Sequence, residues 1–316
     1  MIKIGILNTD TVITERDSTQ PAWEDSLHKA WQERRMEVYA AQVSSMDQGI
    51  GRILDTVEAK GELDNTLIFF LSDNGACAEE IFETFYPYEK SAGEGLAKPL
   101  TCRTHTRDGR LMKHGNDPTV PPGDETTFQS YGVAWANLSN APFREYKHFV
   151  HEGGIATPLI VHWPDGISDR GNLRYQTGQL MDIMATIIDV SGLDWPQERD
   201  GLPILPVEGS SLKNTFNSHD QNRPPLAWEH EGNCAYREGQ WKLVKRWDRG
   251  HWELYDMDVD RCEINDLTNT YPETRAELVE KYHDWANRVG VVEWNQLEAT
   301  RNAKGMFTDW MPHPHD

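Results

Sequence analysis

No run of 18 apolar residues occurs in the sequence, so there is no candidate for a membrane-spanning helix. Its four cysteines, Cys77, Cys102, Cys234 and Cys262, include no C-x-x-C pair, which argues against a zinc knuckle. Basic residues are in short supply: 31 Lys and Arg stand against 51 Asp and Glu, for a formal net charge of -20. With no basic stripe to neutralise phosphates, nucleic acid is not the expected partner. An anionic small substrate stays compatible with this balance, provided its pocket carries local cations. Internal repeats and low-complexity tracts are absent. The stretch Met1 to Asn8 has neither the apolar length nor the small-residue cleavage site of a secretory leader, which taken literally points to the cytoplasm. A chain of this size does not depend on a disulfide framework, although Cys77 and Cys102 flank one polar segment and could bridge in an oxidising compartment.

What is present is enough for one large or two modest domains: 316 residues, 38% hydrophobic and 26% charged. The most informative stretch runs from Thr66 to Leu71, an apolar segment rich in Leu, Ile and Phe that reads as a buried strand. It ends in Ser72, Asp73, Asn74 and Gly75. A carboxylate and an amide thus arrive together at a strand's C-terminal end, where open α/β sheets bind ligands, and a glycine lets the chain turn. Two adjacent hard-oxygen side chains suit Ca²⁺ or Mg²⁺. The same tetrapeptide is also ordinary turn chemistry.

Residues 1–35 read as polar and loop-like, with Trp23 and Trp31 as anchors. Tyr39, Val43, Met46, Ile50, Ile53, Leu54 and Val57 then recur at helical spacing, stopped by Gly61, with Gly49 and Gly51 suggesting close packing against a neighbour. Residues 75–130 form a long polar insertion, in which His105, Arg107, Lys113 and His114 read as solvated loop residues. A strand is predicted over Leu159 to His162 and a helix over Leu180 to Val190, closed by Gly192. Beyond a polar linker at about 208–225 the pattern changes to short strands at 226–229, 234–237, 241–245 and 252–255, with a hairpin turn at Glu238-Gly239. A helix at about 272–288 starts at Pro272.

Five segments in order resemble the sulfatase family in its arylsulfatase-like branch: Met36 to Leu54, Phe69 to Gly75, Trp135 to Arg144, Lys147 to Ile160 and Leu254 to Leu267. The resemblance implies an α/β fold, the later part of an alkaline-phosphatase-like sulfatase core, with a smaller C-terminal antiparallel sheet plus helix. The corresponding division is 1–222 for the α/β part, 223–290 for the β module and 291–316 for a tail. It further implies one divalent cation, Ca²⁺ or Mg²⁺, beside a formylglycine made from cysteine, and a small-molecule or saccharide sulfate ester as substrate. Asp73 and Asn74 match the family's late pair of metal ligands, and Lys147 matches a lysine that contacts the sulfate and assists catalysis. His151 and Glu152 lie near the same loop, with His151 taken as a substrate contact and His148 as a weaker candidate.

The departure from the pattern is specific. The contexts of Cys77, Cys102, Cys234 and Cys262 do not fit the family's Cys-x-Pro/Ala-x-Arg nucleophile motif, and no serine fits either. The early aspartates, lysine and histidines of the family also have no counterpart. The resemblance therefore implies the later half of a sulfatase, inactive alone, whose leader and localisation would have been set by the absent half. The alternatives are a phosphonate monoester hydrolase or phosphodiesterase of the same superfold, or a non-catalytic remnant. Two lesser signals complete the reading. Asp256, Asp258 and Asp260 alternate as in a Ca²⁺ loop, but Arg261 and Leu267 occupy the positions that need glycine and glutamate. Glu229-His230-Glu231 could bind a metal, although a polar hairpin end is the favoured reading.

Overall fold

The computed structural model describes residues 1–81, 105–219 and 223–303. Helix α1 spans Lys29–Ala59 and ends where Gly61 takes a left-handed conformation, φ +73°, which a side chain would disfavour. The helix begins ten residues before its apolar stripe, because its first turns are held by polar contacts rather than by burial. Arg35 is buried and donates through Nε to Ser130 O at 2.7 Å, while Trp31 Nε1 donates to Val120 O at 3.2 Å. Trp135, on helix α2 (Gly132–Asn140), donates to Gln32 O at 3.0 Å. Among the described residues the expected close packing at Gly49 and Gly51 is not found: a Cβ on Gly51 would meet nothing within 4 Å. Val43, Met46 and Ile53 of the stripe are exposed.

Strand β1 (Ile68–Leu71) carries the Asp73–Asn74 corner. Two short strands, β2 (Lys113–His114) and β3 (Thr127–Phe128), pair in parallel within the polar insertion. The short helix α3 (Glu152–Ile155) precedes β4 (Leu159–His162), and β4 pairs antiparallel with β1 in the register Ile68↔His162 to Leu71↔Leu159. Among the described residues β1 pairs with β4 alone, as an antiparallel ladder rather than as part of a parallel βαβ unit. The physical reason is that the chain from 72 to 158 returns to the end of β1 that it left. An antiparallel pairing follows without a crossover helix. Helix α4 (Leu180–Ser191) starts where Asp182 Oδ2 accepts from Gln179 N at 2.8 Å and closes at Gly192, φ +66°. The minor strands β5 (Glu198–Arg199) and β6 (Leu202–Pro203) form a small hairpin.

The C-terminal sheet is β7 (Leu226–His230), β8 (Asn233–Glu238), β9 (Trp241–Lys245) and β10 (Trp252–Asp256), all antiparallel in the order β10-β9-β8-β7. Helix α5 (Pro272–Val289) covers one face, packing Leu278, Tyr282 and Ala286 on Cys234, Tyr236, Leu243 and Leu254. The opposite face packs Ala235, Val244, Tyr255 and Met257 against Val150, a residue of the loop that precedes α3. A last helix, α6 (Trp294–Ala303), follows. No helix among the described residues is long and apolar enough to cross a membrane.

Candidate active site

The corner after β1 is closed by its own polar groups. Ser72 Oγ donates to Asn74 O at 2.9 Å, Thr157 Oγ1 donates to Ser72 O at 2.6 Å, and Asn74 Nδ2 donates to Asp73 Oδ1 at 2.7 Å. Asp73 is exposed and Asn74 half-buried. Asp73 Oδ2 and Asn74 Oδ1 are not used by these bonds. The pair is thus open to solvent rather than walled by a cleft of the described residues. An open groove of about 460 Å³ between α1 and residues 122–129 contains neither of them.

The corner and the loop that carries Lys147 are joined backbone to backbone. Gly75 N donates to Gly154 O at 2.8 Å, and Lys147 N donates to Ala76 O at 3.1 Å. Asn140 ties both sides, accepting from Ala76 N at 2.8 Å and donating to Glu145 O at 2.9 Å. Glycine is needed here for closeness rather than for an unusual φ. A Cβ on Gly75 would stand 1.7 Å from Gly153 O, one on Gly153 would stand 2.1 Å from Arg144 O, and one on Gly154 would stand 2.0 Å from Phe149 O.

Lys147 Nζ lies 3.3 Å from both carboxylate oxygens of Glu79, with its side chain about one-third exposed. Glu79 also faces His148 Nε2 at 2.7 Å and accepts from Cys77 Sγ at 3.0 Å. The His148 contact, helped by Cys77 and Lys147 and opposed by burial, holds the Glu79 carboxyl down at about 2. Burial and the Glu79 contact push the Cys77 thiol up to about 11, so it is an unreactive thiol at neutral pH. Cys77 is free, and Cys102 lies outside the described residues. Cys234 and Cys262 are free and buried.

His151 does not reach the open side of the loop. It is fully buried and faces Glu253 Oε2 at 3.0 Å, where Arg144 and Tyr255 also donate at 2.8 Å each. Burial pushes Glu253 up, but His151 and Arg144 outweigh it and keep the carboxyl well below its usual range. The expectation that His151 touches substrate is not met by this geometry, because the fold spends the ring on anchoring the loop to β10. Its neighbour Glu152 is likewise buried, paired with Lys242 Nζ of β9 at 2.7 Å. The sequence offered no sign of Arg144, Glu253 and Lys242 as supporting residues. Glu253 lies 109 residues from Arg144 and Glu152 lies 90 from Lys242, and only a charged side chain within an apolar strand, Lys242, hints at them.

Comparison with known proteins defines the class. The family model described as Sulfatase matches residues 9–193, more than half of the chain, and the model described as N-sulphoglucosamine sulphohydrolase, C-terminal, matches residues 145–288. The chain belongs to the sulfatase family. An uncharacterized sulfatase of Schizosaccharomyces pombe is 30% identical over 86% of this chain and 47% of its own length. An arylsulfatase of Klebsiella aerogenes is 31% identical over 66% of this chain and 41% of its own. Among solved structures, Ps i-CgsB aligns with a TM-score of 0.54 at 18% identity, over 85% of this chain and 48% of that one, which supports the alkaline-phosphatase-like α/β fold. The chain spans about half the length or less of the curated relatives it matches.

Proposed function

We propose that this chain supplies the late cation ligands and the sulfate-facing lysine of a sulfuric ester hydrolase. The observation that carries the reading is the backbone clasp between Gly75–Ala76 and the Lys147–Gly154 loop, which ties the segment after the Asp73–Asn74 corner to the loop that carries Lys147. The donors at that corner are a carboxylate and an amide oxygen, both suited to Ca²⁺ or Mg²⁺, so they fit part of a hard-cation site. They are two ligands where Ca²⁺ takes six to eight. When bound, such an ion would neutralise anionic ester oxygen. Lys147 would add a compact charge near the same oxygens, with Glu79 fixing its direction.

The formylglycine of the family is a different matter. Cys77 leads into Ala78, Glu79, Glu80 and Ile81, its thiol is held protonated, and Cys234 and Cys262 belong to the core. These residues do not fit the group, and no step through it is derived. Residues 1–316 alone are therefore read as a binding half-site without turnover. A saccharide sulfate is the favoured ester. That reading is supported by the 25% identity to the N-acetylgalactosamine-6-sulfatase of Rattus norvegicus over 77% of this chain and 35% of the relative.

Calorimetry with Ca²⁺, followed by an aryl-sulfate assay on the purified chain, tests this. Weak Ca²⁺ binding that disappears in Asp73→Ala, without multiple turnover, is expected. Ca²⁺ binding that survives Asp73→Ala would remove the cation assignment. Multiple turnover would mean that another residue serves as nucleophile.

A further inference from the structure

A second cluster lies where the Lys147 loop meets the tip of the β7–β8 hairpin. His148 Nδ1 stands 3.2 Å from His230 Nε2 and 3.1 Å from Glu231 Oε2, and the last two are 3.7 Å apart. These three atoms come from residues 82 and 83 positions apart in the chain. We propose that His148 Nδ1, His230 Nε2 and Glu231 Oε2 form a three-ligand site for a Zn²⁺-class ion, with Glu79 as the outer partner of His148.

The triangle has the right size. A tetrahedral zinc ion with bonds of about 2.0–2.1 Å separates its ligand atoms by roughly 3.3–3.4 Å. The three observed edges of 3.1, 3.2 and 3.7 Å bracket that value. The donor set, two imidazole nitrogens and one carboxylate, favours zinc over Ca²⁺ or Mg²⁺.

The surroundings also match what a zinc ligand needs. The far nitrogen of His148, Nε2, meets Glu79 Oε1 at 2.7 Å. A carboxylate on the outer nitrogen fixes the tautomer that leaves the inner nitrogen free to ligate, and it raises the basicity of the ring. The hairpin tip is held by a two-residue turn with both residues at positive φ, Glu231 at 54° and Gly232 at 79°, the signature of a type I′ turn. Buried Asn233 then locks the two halves together, its Nδ2 standing 3.1 Å from both His148 O and His230 O. His230 is exposed, with 53% of its side chain accessible, so the outer side of the triangle is open to a fourth ligand, water or a donor atom of a bound molecule. This site is separate from the hard-oxygen pair at Asp73 and Asn74. Glu79 links the two regions, because the same carboxylate also holds Lys147.

The test uses the full chain stripped by a chelator and titrated with ZnCl₂ by calorimetry and with CoCl₂ by visible spectroscopy. One Zn²⁺ per chain is expected, and Co²⁺ should develop the intense band of a four-coordinate ion. His230→Ala, at an exposed position that leaves folding intact by circular dichroism, should abolish saturable Zn²⁺ binding, and Glu231→Gln should weaken it strongly. Glu79→Gln should lower affinity by about 10- to 100-fold. Asp73→Ala should leave Zn²⁺ affinity unchanged. Three results would each overturn the site: a wild-type chain without saturable binding, a His230→Ala chain with wild-type affinity, or loss of Zn²⁺ binding in Asp73→Ala.

Discussion

Replacing Lys242 with methionine should cost the chain far more stability than a surface lysine would. Lys242 Nζ lies 2.7 Å from Glu152 Oε1 and 2.8 Å from Glu263 Oε1, with no part of Lys242 or Glu263 side chains exposed and 4% of Glu152. The Glu152 contact is a hydrogen bond. The Glu263 contact is off the hydrogen-bond direction and acts through charge. At an effective dielectric constant of about 20, each contact is worth about 6 kcal/mol of coulombic attraction before desolvation of the three charges and repulsion between the carboxylates are subtracted. The mutation measures something else, the cost of removing the central cation from two buried carboxylates, of which Glu152 keeps Arg261 at 3.5 Å, and that cost runs to about 3–5 kcal/mol. Urea denaturation of wild type and Lys242→Met reads it directly. The deficit should also shrink at acid pH, because protonating a buried carboxylate removes the charge that has lost its partner. The triple change Lys242→Met, Glu152→Gln, Glu263→Gln should recover at least half of the loss. A Lys242→Met chain within about 1 kcal/mol of wild type would refute a charged triad at this position.

Three further outcomes follow from the site. Gly75→Ala should lose about 1–3 kcal/mol in the same denaturation experiment, since the added Cβ would fall 1.7 Å from Gly153 O and the backbone must part. Lys147→Ala should change stability by less than about 1 kcal/mol, because its ion pair with Glu79 is partly solvated, while weakening aryl-sulfate binding measured by calorimetry. The Glu79 carboxyl is depressed from 4.5 to about 2, so its contribution is complete above about pH 4.5 and is lost as pH falls toward 2. His148, raised because Glu231 and Glu79 outweigh burial, contributes fully below 6.5 and loses its share as pH rises through its folded value. A stability–pH profile of Glu79→Gln with the same acid limb as wild type would contradict that pairing.

Much of the local structure was legible because it is periodic or punctuated. The strand over 159–162, the helix closing at Gly192 and the helix starting at Pro272 stand where apolar spacing, glycine and proline placed them. The four C-terminal strands run at most one residue beyond their predicted ends. What could not be read was partnership. Nothing in Leu159 to His162 says that it lies antiparallel beside β1, since an apolar run carries no direction. The first turns of α1 lack an apolar stripe because Arg35 and Trp31 secure them by donating to backbone carbonyls at Ser130 and Val120. Asp73, Asn74 and Lys147 stood out as residue types in context, and the roles given to them rest on the resemblance. His151 was misplaced because its buried partner, Glu253, is 102 residues away. Glu229-His230-Glu231 read as a hairpin end, and it is one. The third donor, His148, reaches it only through the fold.

The C-terminal sheet explains why a loop with so little regular structure can hold a fixed position. Residues 144–155 are gripped from two sides. On one, Gly75 and Ala76 bond to them through the backbone, so position is set by peptide groups that cannot change rotamer. On the other, the sheet reaches across with buried charges: Glu253 takes Arg144 and His151, Lys242 takes Glu152, and Arg246 holds Glu145 at 2.6 Å. Val150 adds an apolar peg in the same face. Each of these charges is partnered, as burial demands, and each pair costs desolvation that an apolar contact would not. The return is directional. An apolar face would tolerate sliding, whereas three ion pairs and the His151–Glu253 contact, all of fixed geometry, admit one placement of the loop and therefore one placement of the Lys147 backbone relative to Asp73. The β module thus backs the loop that carries Lys147, and damage to it should be felt at the Asp73–Asn74 corner through the Gly75–Gly154 and Ala76–Lys147 backbone bonds.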